Sequence, residues 1–580
     1  MSAFSQRAVG WWAGPGITGP GGHVLSRWLF LRALGAIYFS AFYSLAFQIR
    51  GLLGPEGLLP AGSYLQEVAR VIPGAVRFWY APTLLWLNSS SHALTALCWA
   101  GLLASLLLIL NVWPRATLAV CFVCFLSFVA AAEDFSGYQS DGMLLAAGFI
   151  GFFLAPGGLR PGLGEKQPAS RATLFLLQLL WFTIYFESGI AKYFGGDASW
   201  RDFSAMNEYY QNGPLPTWIG WYAHQLPRRV HQATAIVAVS TELVVVGMVF
   251  LPRIFRIVCF FFVTLLQFGI ILTANYAFLN HLVLALAVFL LDDAFLIGFV
   301  PSRQREAVRQ RLGIELRENP WRTNLFTFRR PAGQTPEAPE AESLSLFNSP
   351  AAAPAAEQSP GPTHAQRDLP LWRQILSKVV LWTKAFLLGW VLYATLFLLL
   401  QQISPGLPLP SRPVTALEPF RIANSYGLFG RMTWSRYEIE FQGSNDGLNW
   451  TPYPFRYKPQ ALNEAPGIYA PYQPRFEWNL WFASLGSWRE NPFVVRTEQQ
   501  LLFNNKDVLA FFRFNPFSVS PPTQVRAVIW QYWFTDRATK KSTGEWWRRE
   551  ARGLYAPALE RTPDGKIIVT EWPQGLIPPP

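Results

Sequence analysis

Four ionisable side chains lie where the surrounding sequence makes charge costly. Glu187 and Lys192 end the apolar run Leu174–Phe186 (LFLLQLLWFTIYF), Glu242 interrupts STELVVV, and His224 lies in WYAHQLP. An unpaired charge in such a place is expensive, so each residue should have a partner or a task. A lysine closing a helix complements its carbonyl end and can snorkel to the interface; desolvated, it can serve as base or nucleophile. Glu187 comes five residues before Lys192, about 140° around a helix, so the two cannot simply pair. Arg32 or His224 is the expected partner of Glu187. Glu242, read as mid-span, costs about 3 kcal/mol unless it faces the interior as a polar clamp or as part of a site. His224, beside Tyr222 and Pro227, reads as packing at the interface. There is no HExxH, Walker loop or GxSxG, and six scattered histidines offer no metal spacing. Gly195–Gly196 is a turn rather than a phosphate cradle. No cofactor and no metal are expected.

The elements that must position these residues are membrane spans. The chain has 580 residues, of which 51% are hydrophobic and 14% charged. Nine apolar runs recur: Trp28–Ile49, Ala93–Val112, Arg115–Ala132, Met143–Ala155, Ala172–Ala191, Ala233–Leu251, Phe255–Thr273, Ala277–Phe299 and Val379–Leu400. Met143–Ala155 is short for a span. The chain therefore reads as a polytopic α-helical membrane bundle over residues 1–300 and a cytoplasmic linker over 301–375. A final span follows over 376–402, then an extracytoplasmic β-rich domain over 405–580. The first 22 residues lack the pattern of a cleaved signal peptide, so the first span is expected to stay as an anchor.

Basic residues set the orientation. With the N-terminus inside, the cytoplasmic loops hold Arg7, Arg27, Arg115, Arg160, Lys166, Arg171, Arg253, Arg256 and the Arg-rich start of the linker. The opposite face holds Arg50, Arg70, Arg77, Lys192, Arg201, Arg228 and Arg229, and its loop with Glu133, Asp134 and Asp141 carries no base at all. The linker begins basic and amphipathic (RQREAVRQRLGIEL), then turns to Pro/Ala/Glu/Ser composition that cannot bury a core. The net charge of +12 belongs largely to membrane-flanking loops, and no nucleic-acid module is readable. All four cysteines (Cys98, Cys121, Cys124, Cys259) fall in spans, where the Cys121–Cys124 pair reads as packing rather than redox chemistry.

In residues 405–580, RYEIEFQ (436–442), a Gly-Ser-Asn-Asp-Gly turn and NWTPYPFRYKP form a hairpin signal, and QVRAVIWQYWF (524–534) is another alternating strand. FEWNLWFASLG and EQQLLFNNKDVLAFFRF have helical spacing. The expectation is a β-sandwich (α+β) decorated by helices and held by its own core. Its many aromatics fill that core or form a face for a protein or carbohydrate.

Several blocks, in order along nearly the whole chain, resemble the lipase maturation factor family. SGIAK contributes Ser188, Gly189 and Lys192, and GDASWRD contributes Gly196, Asp197, Trp200, Arg201 and Asp202. PLPT contributes Pro214 and Pro216, and WYAHQLP contributes Trp221, Tyr222, His224 and Pro227. YQSDGMLLAAGFIGFFLAP and NYAFLNHLVLALAVFLLDDAFL match in the bundle. Further on, NSYGLFGRM carries Asn424, Tyr426, Gly427, Phe429 and Gly430, and FEWNLWFASLG carries Trp481 and Phe482. FRFNPF carries Asn515, Pro516 and Phe517, and GEWWRRE carries Trp546 and Trp547. A fainter resemblance, at Lys192, Asp197 and Trp200, is to the membrane group that includes vitamin K-dependent carboxylase.

The main resemblance implies a membrane-anchored factor that helps secreted lipases fold, in the endoplasmic reticulum of animals. The Pro/Ala linker and the cysteine-free outer domain suit a bacterial inner-membrane relative. Membrane lipids and a secreted, lipase-like client are the expected partners. The alternative is an intramembrane enzyme acting on a lipid-like or quinone-like substrate with Lys192 as base.

Overall fold

Among the described residues, six helices are long and apolar enough to cross a membrane: Val24–Ala46, Ser91–Ile109, Arg171–Phe194, Arg228–Phe250, Arg253–Thr273 and Trp372–Ile403. The structure, a computed structural model, describes residues 3–14, 21–314 and 370–574. Two shorter apolar helices, Pro114–Val129 and Gln139–Leu154, stand at the third and fourth expected runs. The run expected as one span over 277–299 is instead a pair, Leu279–Leu290 and Asp293–Phe299, bent by 103°. The Asp pair explains the bend. Asp292 caps the short second helix by accepting from Phe295 N and pairs with Arg253. Asp293 accepts from Val24 N and Leu25 N at 2.9 and 2.7 Å, capping the first span from outside its own helix. This is an integral membrane protein with a helical N-terminal region. The basic start of the linker forms the helix Ser302–Leu312, while its Pro/Ala-rich remainder lies outside the described residues.

The bases assigned to one face by the orientation argument are also structural. Arg27 donates to the carbonyls of Leu163, Gly164 and Gln167, and Arg115 donates twice to Ala155 O. They hold the loop that follows Gln139–Leu154.

The C-terminal region is built on one antiparallel sheet of six strands: β1 (Arg436–Ser444), β2 (Thr451–Pro452), β3 (Gln524–Phe534), β4 (Trp547–Leu554), β5 (Ala558–Arg561) and β6 (Ile567–Glu571). The order is β2-β1-β3-β5-β6, with β4 also paired to β3. β1 and β3 run side by side from Arg436↔Tyr532 to Ser444↔Gln524. The sandwich is corrected here: helices replace the second sheet. Tyr437, Ile439 and Phe441 are buried, and Phe441 stacks on Phe476 of the helix Arg475–Ala483. A second helix, Pro492–Leu502, packs on β3.

RYEIEFQ alternates charged and apolar residues, yet every residue of β1 is buried. Its charges are matched instead. Glu438 pairs with Arg436 and Lys458, and Glu440 pairs with Arg549.

Residues 405–580 do not keep their polar groups to themselves. Arg475 makes a two-pronged pair with Asp141 at 2.7 and 2.8 Å and donates to Phe135 O. Asp141 belongs to the base-free loop, and its counter-charge arrives from a residue 334 positions away. Arg436 donates to the carbonyls of Gln211, Gly213 and Pro214. Asn275 spans the same boundary, accepting from Tyr469 N and Ala470 N and donating to Gly467 O.

These bonds generate two expectations. Arg475→Ala strands the Asp141 carboxylate without its partner and should lower stability by about 3–5 kcal/mol, read as a fall in unfolding temperature in detergent. Residues 405–580 expressed alone should fail to give a cooperative thermal transition, because Arg475 loses Asp141 and Phe135 O and Arg436 loses its three carbonyl acceptors. A sharp melt of the isolated segment contradicts this.

Candidate functional site

The helix Arg171–Phe194 starts at Ser170, whose hydroxyl accepts from Thr173 N, and ends where Gly195 and Gly196 turn the chain, Gly196 at a φ of 93° that suits only glycine. Its last two turns carry Glu187, Ser188 and Lys192, all buried. The opposing wall is the loop 424–433 that leads into β1.

Lys192 Nζ lies 2.8 and 2.7 Å from the two carboxylate oxygens of Glu242 and donates to Leu428 O at 2.9 Å. It also sits 5.3 Å from the Trp200 ring centroid. The expectation that this ammonium snorkels to the interface is therefore revised, since it is 3% exposed and fully engaged. Glu242 is not mid-span in effect. Lys192 stands two residues before its helix ends, so Glu242 lies at the level of that C-terminal end. The turns before it pack beside the loop helices Met206–Asn212 and Trp218–His224, with His231 reaching Ala223 O and Asn207. Gly189 permits the close crossing: a Cβ there would lie 2.9–3.0 Å from Leu243 and Glu242.

The partner expected for Glu187 is likewise corrected. Arg32 is engaged by Leu108 O and Asn111, and His224 packs against Phe534. Glu187 Oε2 accepts instead from Tyr426 N at 2.6 Å. Ser188 Oγ accepts from Leu428 N, Gln139 Oε1 from Gly427 N, and Asp197 Oδ2 from Met432 N. In return, Gln402 donates to Tyr426 O, Trp200 Nε1 to Phe429 O, and Asn212 to Thr433 O. Gly430 lies against Ala191, where a Cβ would approach to 2.9 Å, and Phe429 takes a left-handed φ of 55° with its ring 4.8 Å from Tyr276. Asn424 packs on Gly142. Asp197 lies outside the spans. Its partial burial acts upward, but the Met432 and Ser199 donors outweigh it and hold the carboxyl below its ordinary range.

The remaining sequence candidates divide. Trp221 and Tyr222 meet Trp546 at ring distances of 5.4 and 6.3 Å, and Trp547 packs tilted against Phe534 at 4.5 Å. His224 is half-buried there, and desolvation, then His231, lowers its imidazole to about 4. Pro214 supplies a carbonyl to Arg436, Pro216 bridges to Ala274, and Pro227 starts the helix Arg228–Leu243. Trp481 is buried and Phe482 half-exposed beside Tyr138, while Asn515 ties Asn504 to Phe517, which packs over Gly443 around Pro516. Arg201 and Asp202 are exposed and stand apart from the joint. Sequence reasoning missed Gln139, Asn275, Gln402, Arg436 and Arg475. Of these only Arg475 had a signal, the acidic loop lacking any base.

No group of three or more His, Cys, Asp or Glu able to hold a metal occurs among the described residues. The arrangement is an interlock in which side chains at the ends of the spans satisfy the backbone of a loop. Fold and site together define a polytopic membrane protein with a β-sheet region fastened to its bundle.

Residues 25–298 match the lipase maturation factor transmembrane domain and residues 422–557 the lipase maturation factor C-terminal domain. The chain is 31% identical to lipase maturation factor 2 of Gallus gallus, over 92% of this chain and 81% of that protein. It is 29% identical to lipase maturation factor 1 of Bos taurus, over 95% of this chain and 91% of that one. For lipase maturation factor 2 of Homo sapiens the identity is 30%, over 93% and 83%. No solved structure matches it. The chain belongs to the lipase maturation factor family.

Two predictions follow the geometry. Lys192→Ala leaves Glu242 buried and alone and should cost about 3–5 kcal/mol, whereas the double change Lys192→Met with Glu242→Leu should recover most of that loss in unfolding temperature. A double variant as unstable as the single one contradicts the pairing. The second concerns Glu477, buried in the helix Arg475–Ala483. Burial pushes its carboxyl up to about 7, against the N–H donors of Lys458, Tyr457 and Arg456 and the Lys458 charge. The folded protein thus keeps a proton that the unfolded chain releases near 4.5, so this contribution to stability is full at acid pH and declines as pH rises from 4.5 to 7. Wild type should lose up to about 3 kcal/mol across that window relative to Glu477→Gln, and parallel profiles for the two contradict it.

Proposed function

We propose that the chain is a membrane-anchored maturation factor for a secreted lipase or a similar client. In this reading it sits in a bacterial inner membrane with residues 405–580 outside the cytoplasm, gripping the client from there. The relatives' names supply the client class. The observation that carries the rest is the saturation of Lys192. Its three protons face three acceptors, two on Glu242 and one on Leu428 O, so the motif reads as a fastening rather than as a base waiting for substrate. The bundle then serves as anchor and rigid platform. Exposed rings on the outer region, Phe503, Phe514 and Trp572, offer contacts to an unfolded or partly folded protein. Nucleic acid has no place in this reading, since many bases are engaged in buried bonds.

Co-expression with a secreted lipase tests it. Phe514→Ser together with Phe503→Ser should cut the yield of active lipase about tenfold or more at normal protein level. Lys192→Met with Glu242→Leu should retain most of the yield. Full loss in that double variant, with normal insertion and unfolding temperature, would instead favour the intramembrane enzyme.

A further inference from the structure

The first span does not end at a flat surface. Beyond Ala46 the chain passes Phe47 and Gln48 and meets the outer region, and between them lies a cleft of about 420 Å³. Tyr43, Phe47 and Gln48 form one wall; Tyr457, Tyr472 and Glu477 form much of the other. Glu477 reaches this floor with its carboxylate fixed by Arg456 N at 3.1 Å, Tyr457 N at 2.8 Å and Lys458 N at 2.7 Å. Arg456 also lines the cleft, and its exposed guanidinium makes no ion pair among the described residues. A carboxyl that becomes an anion above about pH 7 and a cation without an ion-pair partner among the described residues thus share one aromatic-walled space.

The cleft continues onto the span. Phe39, Tyr43 and Phe47 recur every four residues, are 37%, 46% and 60% exposed, and contact one another at ring distances of 6.2 and 5.0 Å. On a membrane-crossing helix this stripe faces hydrocarbon and the interfacial belt favoured by aromatic rings. An occupant must therefore combine an apolar tail that follows the stripe with a head bearing both charges. A soluble peptide has no reason to follow a face that lies in lipid.

We infer that this cleft binds the head group of a zwitterionic phospholipid, its ammonium toward Glu477 and the tyrosine rings and its phosphate toward Arg456, with an acyl chain along Phe39–Tyr43–Phe47. Aromatic faces and a carboxylate together suit an alkylammonium, and a guanidinium suits a phosphate. The inference is independent of the proposed client.

The test uses the full chain, purified in detergent and stripped of lipid. Phosphatidylethanolamine, phosphatidylcholine or phosphatidylglycerol is then added, and retained lipid is read by native mass spectrometry. At least one zwitterionic lipid should be retained well above phosphatidylglycerol and should raise the unfolding temperature. Arg456→Ala removes one charge-assisted contact on an exposed side chain and should weaken retention about tenfold. Ala510→Trp, at the cleft's edge, should block it. Retention of phosphatidylglycerol at the zwitterionic level overturns the inference. So does wild-type retention by both variants, or displacement of the lipid by an unfolded lipase peptide.

Discussion

The Lys192 ammonium ties together three parts of the chain that are far apart in sequence. It closes one span, neutralises Glu242 on another, and holds the carbonyl of Leu428 in the loop that leads into the C-terminal sheet. A buried charge of this kind is tolerable only while all its acceptors stay in place. Separating the loop from the bundle would strand the Lys192–Glu242 pair, Glu187 and Asp197 together with the loop's own backbone groups. The position of the sheet relative to the bundle follows from that cost.

Around this centre, other contacts reinforce the same boundary. Arg475 with Asp141, Arg436 with three carbonyls, and Asn275 with the 467–470 segment each match a group of one region with groups of the other. Most of the buried apolar side chains run as one cluster from the spans into the sheet, apart from a small cluster at Val24, Leu25, Leu312 and Ile314. A cysteine-free C-terminal region without disulfides can thus be stable, because the bundle supplies part of its core and many of its hydrogen-bond partners.

Much of this was legible in the residues. Apolar runs located the helices because length and hydropathy report directly on the solvent each helix meets. The blocks SGIAK and GDASW were recognisable as polar groups too costly to stand alone, and NSYGLFGRM as a separate block. That they grip each other was not legible. Most of the bonds join side chains to backbone across more than two hundred residues, and a backbone N–H leaves no mark in sequence. The same reason hid the partner of Glu187. The single sheet was misread as a sandwich because alternation in RYEIEFQ reports two kinds of face but not what covers each. Here Lys458 and Arg549 covered the charged face, and helices covered the other. The bend at Asp292 was missed because hydropathy stays high on both sides of it.

Hydrogen exchange at the loop amides tests the central claim most directly. In the intact protein in detergent micelles, the N–H groups of Tyr426, Leu428 and Met432 should exchange as slowly as those in the middle of β3, since each is held by a buried or half-buried side chain of the bundle. Glu187→Ala should speed Tyr426 and Leu428 together while β3 stays protected. Rapid exchange at these amides in the unaltered protein, with β3 slow, would contradict the interlock and with it the fixed mount.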